Sequence, residues 1–487
     1  MHQHCLDVHL DFLIPDGIGF SWNDWIKPFA HIDGAEDRPR FLAYLIALVD
    51  YRLRFIAYDR FVMFPTFSIG WILTLGVGPW LLFRTARNLG LSVEGAMTAL
   101  ILYAASTGFL FDFCMMLFPA KALTNVVFIA SMYLVSRLQM ERKEDELLCE
   151  IRSPLKAVLF FVIFAGLFLD EGPLFLFVAL PVLFRELFIL PSFKTSDIQR
   201  MIKNGLWFLS PFLVFLFLVV FIVPVITQHY FSYRFDYLGT LLAAKKEQME
   251  IGKTFFGRDG EGFGPASLFD NFMTLFGTSL VPWQISPYIL HKPTAGVVSS
   301  QAHNAAQISI LFLAFAGMAM MMRKSSGENK TRLKRFAAVT ALYILFMSAI
   351  IGRHIMFITG YYYGCTFGLF FAMLAAFGLE ELQRSGRRFV LLSVALVSLI
   401  AVIQLDNFAL INRSWVYFHT EVWTKNGFKH LFPIADEKLV TRGELKEIWT
   451  AWKEKRIVPY LREHPASSGA VFLLVELRHR DKISHPS

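Results

Sequence analysis

Two carboxylates, Asp170 and Glu171, stand side by side in GLFLDEGPLF, inside a region, 155–190, that is otherwise largely Leu, Phe, Val and Ala. Adjacent acids of this kind can position a substrate, hold a guanidinium, or supply part of a metal shell. Two neighbours are a weak metal signal, because a divalent ion wants more oxygen ligands than they provide. A second polar pair, Arg353 and His354, interrupts another apolar region in GRHIMF. Both pairs raise the same question: which elements carry them, and to which surface.

Composition answers the first part. The chain has 487 residues, 55% of them hydrophobic and 18% charged, with 51 Phe, which is more apolar than a soluble domain can bury. It reads as an integral membrane protein, with the bilayer as its first partner. The net charge of +8 could point to nucleic acid, but Lys and Arg fall in short clusters between apolar runs, so we read the charge as topology. Cys5, Cys114, Cys149 and Cys365 are far apart, without CxxC spacing, and suggest neither a disulfide framework nor a zinc site. No metal motif is present and no cofactor is identified.

Apolar runs of about 17–25 residues, the length that spans a bilayer, lie near 61–83, 92–110, 120–136, 205–227, 306–322, 336–352, 355–379 and 389–405. Region 155–190 is too long for one helix, and an acid at the bilayer centre costs about 2.5–3.5 kcal/mol. Two helices joined at Asp170-Glu171-Gly172-Pro173 are cheaper, which gives ten spans. Basic residues cluster in 84–91, 137–156, 191–204, 323–335 and 380–388, all on one side if the spans alternate. The opposite short loops, 111–119, 170–172 and 353–354, hold one basic residue, Arg353. By the positive-inside rule, Asp170, Glu171, Arg353 and His354 therefore face outward.

The same side receives residues 1–60, the loop 228–305 and the tail 406–487, while 61–405 forms the helix bundle. Residues 1–60 hold neither a signal peptide nor a span, so we expect an upstream first helix to be missing and Met1 not to be the natural start. From Phe41 the spacing of Phe41, Leu42, Leu45, Leu48 and Val49 predicts an interfacial amphipathic helix. GRDGEGFGP in the long loop lacks the strand-before, helix-after context of a phosphate loop. Residues 271–290 are expected to dip into the membrane surface, and the tail to form a small subdomain with a short strand at GAVFLLVEL. Asn412-Arg413-Ser414 matches a glycosylation acceptor.

Taken in order, LDFLIPD, FSWNDW and EDRPRFLAYLIALVDYRL resemble the first outer loop of GT-C membrane glycosyltransferases, in the branch of the O-mannosyltransferases and their bacterial relatives. The corresponding positions are Asp11-Phe12, Ser21-Trp22, Arg38-Pro39 and Asp50-Tyr51. GLFLDEGPLF resembles the later outer turn of that family, and GRHIMFITGYYYGCTFGL its Arg-aromatic turn. Leu10 stands where the family has the first of two Asp residues, Arg40 where it has Leu, and the tetratricopeptide tail of the eukaryotic branch is lacking. The resemblance implies an all-α polytopic GT-C-like fold of about ten transmembrane helices. It also implies transfer of a sugar from a polyprenyl-phosphate donor to a glycan, lipid or protein acceptor outside the cytoplasm of a bacterial cell.

In that chemistry a carboxylate removes the acceptor proton as the acceptor attacks the anomeric carbon. The resemblance assigns this to Asp11, with Asp7 as fallback. Cations at the membrane surface stabilise the departing lipid phosphate. Arg353 suits this role, His354 can add a hydrogen bond, and Arg38 can bind phosphate or pin its loop. Asp170 and Glu171 would position the acceptor or hold Arg353. A transporter is the main rival, although no internal repeat is visible and the notable charges sit at span ends. A glycan polymerase or ligase would carry its main loop late in the chain, and a non-catalytic scaffold would need none of these residues.

Overall fold

The computed structural model describes residues 69–106, 120–190, 194–231, 234–239, 296–323 and 327–417, with 40–43, 45, 46, 49, 109 and 242. GRDGEGFGP, 271–290 and GAVFLLVEL lie outside them. Every element among the described residues is helical. We label α1 Gly78–Asn88, α2 Val93–Ala104, α3 Ala120–Glu141, α4 Leu155–Leu167, α5 Leu176–Leu183, α6 Thr195–Phe217, α7 Val223–Phe231, α8 Gly296–Arg323, α9 Glu328–Arg384 and α10 Arg387–Tyr417. Three stretches, Ala122–Glu141, Thr195–Tyr230 and Gly364–Arg384, are long and apolar enough to cross a membrane. Shorter apolar helices lie over Val93–Ala104, Leu155–Leu167, Gly172–Leu183 and Ile308–Arg323. The chain is a helical membrane protein.

Two π-helical segments, Ile72–Val77 and Leu218–Ile222, each end two residues before a proline, Pro79 and Pro224. Proline has no N–H for the carbonyl four residues back. Widening the preceding turn hands carbonyls to donors five residues on, as where Val223 N–H donates to Leu218 O.

α9 is one run of helical residues but not one rod. Phe336 and Phe377 have ring centroids 5.8 Å apart, and Tyr343 and Phe370 5.9 Å, so both pairs are centred between residues 356 and 357. Arg332 donates to Leu89 O while Glu380 accepts from Ser92 N–H at 2.9 Å. A straight helix would hold residues 332 and 380 about 70 Å apart. The run must therefore fold back on itself into two antiparallel limbs. This corrects the expected two-residue loop at 353–354: Arg353 and His354 lie in helical backbone just before the centre of the reversal. IIGRHIMFITG contains no Pro, Asn or Asp to end a helix, which leaves helical hydrogen bonding as the default up to the bend.

The second limb is the axis of the bundle, with Gly364–Arg384 wholly buried in the span window. The two limbs together pack on α2, α3, α5, α8 and α10. Against α8 the backbones touch: a Cβ on Gly317 would overlap Gly378 O, and one on Gly378 would overlap Ala314 O. In a bilayer, where apolar burial no longer drives association, such small-residue contacts let helices pack by dispersion.

The five basic loops meet at one end. Asn88 donates to Ser136 Oγ at 2.9 Å, Leu148 N–H to Leu187 O at 2.9 Å, and Asn204 bridges Cys149 N–H and Leu187 O. Arg335 pairs with Glu186, and Arg200 grips Glu150 through two bonds of 2.7 Å. With Arg332 on Leu89 and Glu380 on Ser92, these links join 84–91, 137–156, 191–204, 323–335 and 380–388. Arg200 and a backbone bond from Leu147 hold the Glu150 carboxyl below its usual range against the opposing pull of burial, and burial pushes the neighbouring Cys149 thiol up.

Candidate functional site at the opposite end

The turn Phe168–Glu171 leaves α4 and enters a 3-10 turn, Gly172–Phe175, with Pro173 in its first positions. Gly172 is required by close approach, since a Cβ there would come 2.9 Å from Thr124 Cγ2. The turn thereby sits tight on α3 and buries Asp170, while Glu171 stays partly exposed.

Among the described residues, Asp170 is held by Arg40. The guanidinium lies 3.0 Å from the carboxylate, with the side chains 16% and 2% exposed. Leu42 N–H donates to Phe168 O at 3.0 Å, and Phe41 packs on Phe168 at 6.0 Å and on Phe235 at 5.9 Å. Ion pair, backbone bond and ring contacts together fasten the segment that starts at Arg40 to the acidic turn. Arg40 stands where the GT-C family that the first segment resembles has Leu. A basic residue beside an apolar helical run, with an orphan acid elsewhere at a span end, was the available signal.

Asp11 and Arg38 lie outside the described residues. Arg353 and His354 are placed only as helical backbone near the bend of α9. Among the described residues, then, Asp170 and Glu171 are the predicted site residues whose side chains are placed, and Asp170 pairs with Arg40. No cluster of three His, Cys, Asp or Glu side chains among the described residues could hold a metal ion.

Beneath the turn lies a buried polar layer. Thr366 on α9 donates to Asn125 Oδ1 on α3 at 2.5 Å, and Tyr103 on α2 and Cys365 on α9 meet at 3.5 Å. Ser106 Oγ accepts from Phe109 N–H at 3.2 Å. Polar groups inside a membrane bundle are costly unless bonded, and here the Thr366–Asn125 and Tyr103–Cys365 contacts cross-link helices while Ser106 caps its own turn.

On the other flank a cleft of about 360 Å³ opens between the π-segment and the returning chain, lined by Val219, Val220, Pro224, Arg234, Phe235, Asp236, Tyr237 and Leu238. Buried Thr227 builds it by accepting from Phe235 N–H at 3.1 Å, which turns the chain back against α7. Asp236 Oδ1 accepts from Gly239 N–H at 2.9 Å, and Tyr237 packs edge-on against Phe215. Neither cleft charge was singled out from sequence, since no motif surrounds them.

Acid, cation, polar layer and cleft thus share one end of the bundle, opposite the basic loops. The arrangement can hold a charged or hydroxylated group at a span end, against an apolar wall. Compared with models of protein families, with curated proteins and with solved structures, the chain matches none.

Proposed function

We propose that this chain is a membrane glycosyltransferase that moves a sugar from a polyprenyl-phosphate donor to an acceptor on the non-cytoplasmic face of a bacterial inner membrane. The motif resemblance supplies the reaction. The observation that carries its placement is the docking of Arg40 and Phe41, which continue the Arg38-Pro39 motif, onto Asp170 and Phe168, at the end away from every basic loop. Two segments that resemble outer loops of one family are 130 residues apart and lie in contact.

In the proposed step the Asp11 carboxylate takes the acceptor proton as the acceptor oxygen bonds to the anomeric carbon. The bond from that carbon to the phosphate oxygen breaks, and the lipid phosphate leaves with the electron pair. Arg353, His354 and Arg38 stabilise its growing negative charge. Asp170, neutralised by Arg40, fixes the loop against the bundle, and Glu171 beside it contacts the acceptor.

The test is transfer in membranes supplied with a synthetic polyprenyl-phosphate hexose, read as release of free polyprenyl phosphate that depends on the chain and is lost in Asp11→Asn. Release equal to that of control membranes would remove the transferase reading and favour a transporter.

A further inference from the structure

At the basic end, α4 and α6 pack on each other beside a corner whose acids are already taken. Glu150 and Asp197 both pair with Arg200, at 2.7 and 3.6 Å. Two ammonium groups are left over. Lys156 Nζ donates to Cys149 O at 2.8 Å, which uses one of its three N–H groups, and lies 5.7 Å from the centre of the half-buried Trp207 ring. Lys203, one helical turn before Trp207 on α6, is exposed and makes no hydrogen bond or ion pair among the described residues. Burial and Glu150 push the Cys149 thiol up while the charges of Lys203 and Lys156 oppose them, so both ammonium groups stand close to that residue. The two lysines also mark a boundary: Lys156 is the last charge before the apolar run 157–169, and Lys203 the last before 206–228. A Trp beside the last cation of a span belongs to the headgroup region. Val158 and Phe161 on α4, with Leu206 and Leu209 on α6, are exposed apolar side chains on the membrane side of that boundary.

We propose that Lys156, Lys203 and Trp207 form a site for one anionic phospholipid of the phosphatidylglycerol type. The phosphate diester lies between the two ammonium groups, the indole ring stands at the level of the glycerol, and the acyl chains run along the exposed apolar side chains of α4 and α6. A headgroup with its own ammonium would bring a third cation to a corner whose carboxylates Arg200 already holds. Cations at a membrane surface favour anionic lipids, and the adjoining apolar side chains favour a lipid over a soluble phosphate ester, because only a lipid covers both. The site lies at the opposite end of the bundle from Asp170 and stands apart from the transfer reaction.

Native mass spectrometry of the full-length purified chain, titrated with phosphatidylglycerol and with phosphatidylethanolamine, tests the proposal. Wild type is expected to retain phosphatidylglycerol about tenfold more tightly, the scale of one to two lysines at a membrane surface. Lys156→Gln combined with Lys203→Gln should erase that preference. Lys156→Arg combined with Lys203→Arg should keep it, which separates loss of charge from misfolding. Arg387→Gln combined with Arg388→Gln, which removes two exposed cations at the start of α10, should leave it unchanged. The bound lipid should also survive millimolar glycerol phosphate. Equal retention of the two lipids by wild type, a preference that persists in the double glutamine variant of the lysines, an equal loss in the α10 variant, or displacement by glycerol phosphate would overturn it.

Discussion

Arg40 and Asp170 form an ion pair of 3.0 Å between the first described residue of the N-terminal segment and a turn 130 residues later. Its acid is 2% exposed, so removing one partner leaves a buried charge behind. Asp170→Asn or Arg40→Met should each cost about 3–5 kcal/mol, read as a lower unfolding temperature in detergent. The double change to Arg40→Met with Asp170→Leu should recover most of that loss, because two apolar groups strand no charge. Additive losses in the double variant would mean that the two residues act separately.

The folded-back form of α9 has a direct distance test. Spin labels at residues 332 and 380 should report a separation of about 20 Å or less, since both positions grip the turn between α1 and α2. A single straight helix would put them about 70 Å apart. A distribution centred at the longer value would refute the two-limb arrangement.

Two glycines should behave oppositely. Gly317→Ala sets a methyl group against the Gly378 carbonyl and is expected to destabilise by about 1–3 kcal/mol. Gly205, in α6, has nothing within 4 Å of its added Cβ, so Gly205→Ala should stabilise by about 0.5–1 kcal/mol through helix propensity. Unfolding temperatures of both variants, measured in the same detergent, check the pair.

Acid should loosen the basic end through Glu150. Its carboxyl is held below the usual range mainly by the bond from Arg200. The stabilisation is therefore complete above the unfolded value, near the normal carboxylate range, and is lost as pH falls through the lower folded value. The side chains are 38% and 30% exposed, so solvent screening limits the effect to at most about 1 kcal/mol. Melting temperatures between pH 7 and pH 3 should fall slightly less steeply in Glu150→Gln than in wild type, and identical slopes would show that the clamp contributes nothing.

The gathering of the basic loops was legible in the sequence because Lys and Arg are counted residue by residue: the loops carrying Arg87, Arg142, Arg200, Arg335 and Arg384 do converge at one end. Asp170 was legible as an outlier among apolar residues, whereas Arg40 was not recognised as its partner, since a contact across 130 residues leaves no local pattern. The reversal in α9 falls near the division expected between the apolar runs 336–352 and 355–379. Its helical character at Arg353 was missed because the short loop was inferred from charge alone, without a helix-terminating residue to support it. Pro79 and Pro224 could have flagged the π-segments. The Arg234–Asp236 rim depends on Thr227 turning the chain back, a single buried bond that periodicity does not encode.

The most direct measurement is mass spectrometry of envelope lipids, glycans and glycoproteins from a deletion strain, complemented with the full reading frame either unaltered or carrying Asp11→Asn. Deletion should remove one sugar mass from a defined species, and only the unaltered copy should restore it. An unchanged profile on deletion, or full restoration by Asp11→Asn, would contradict it.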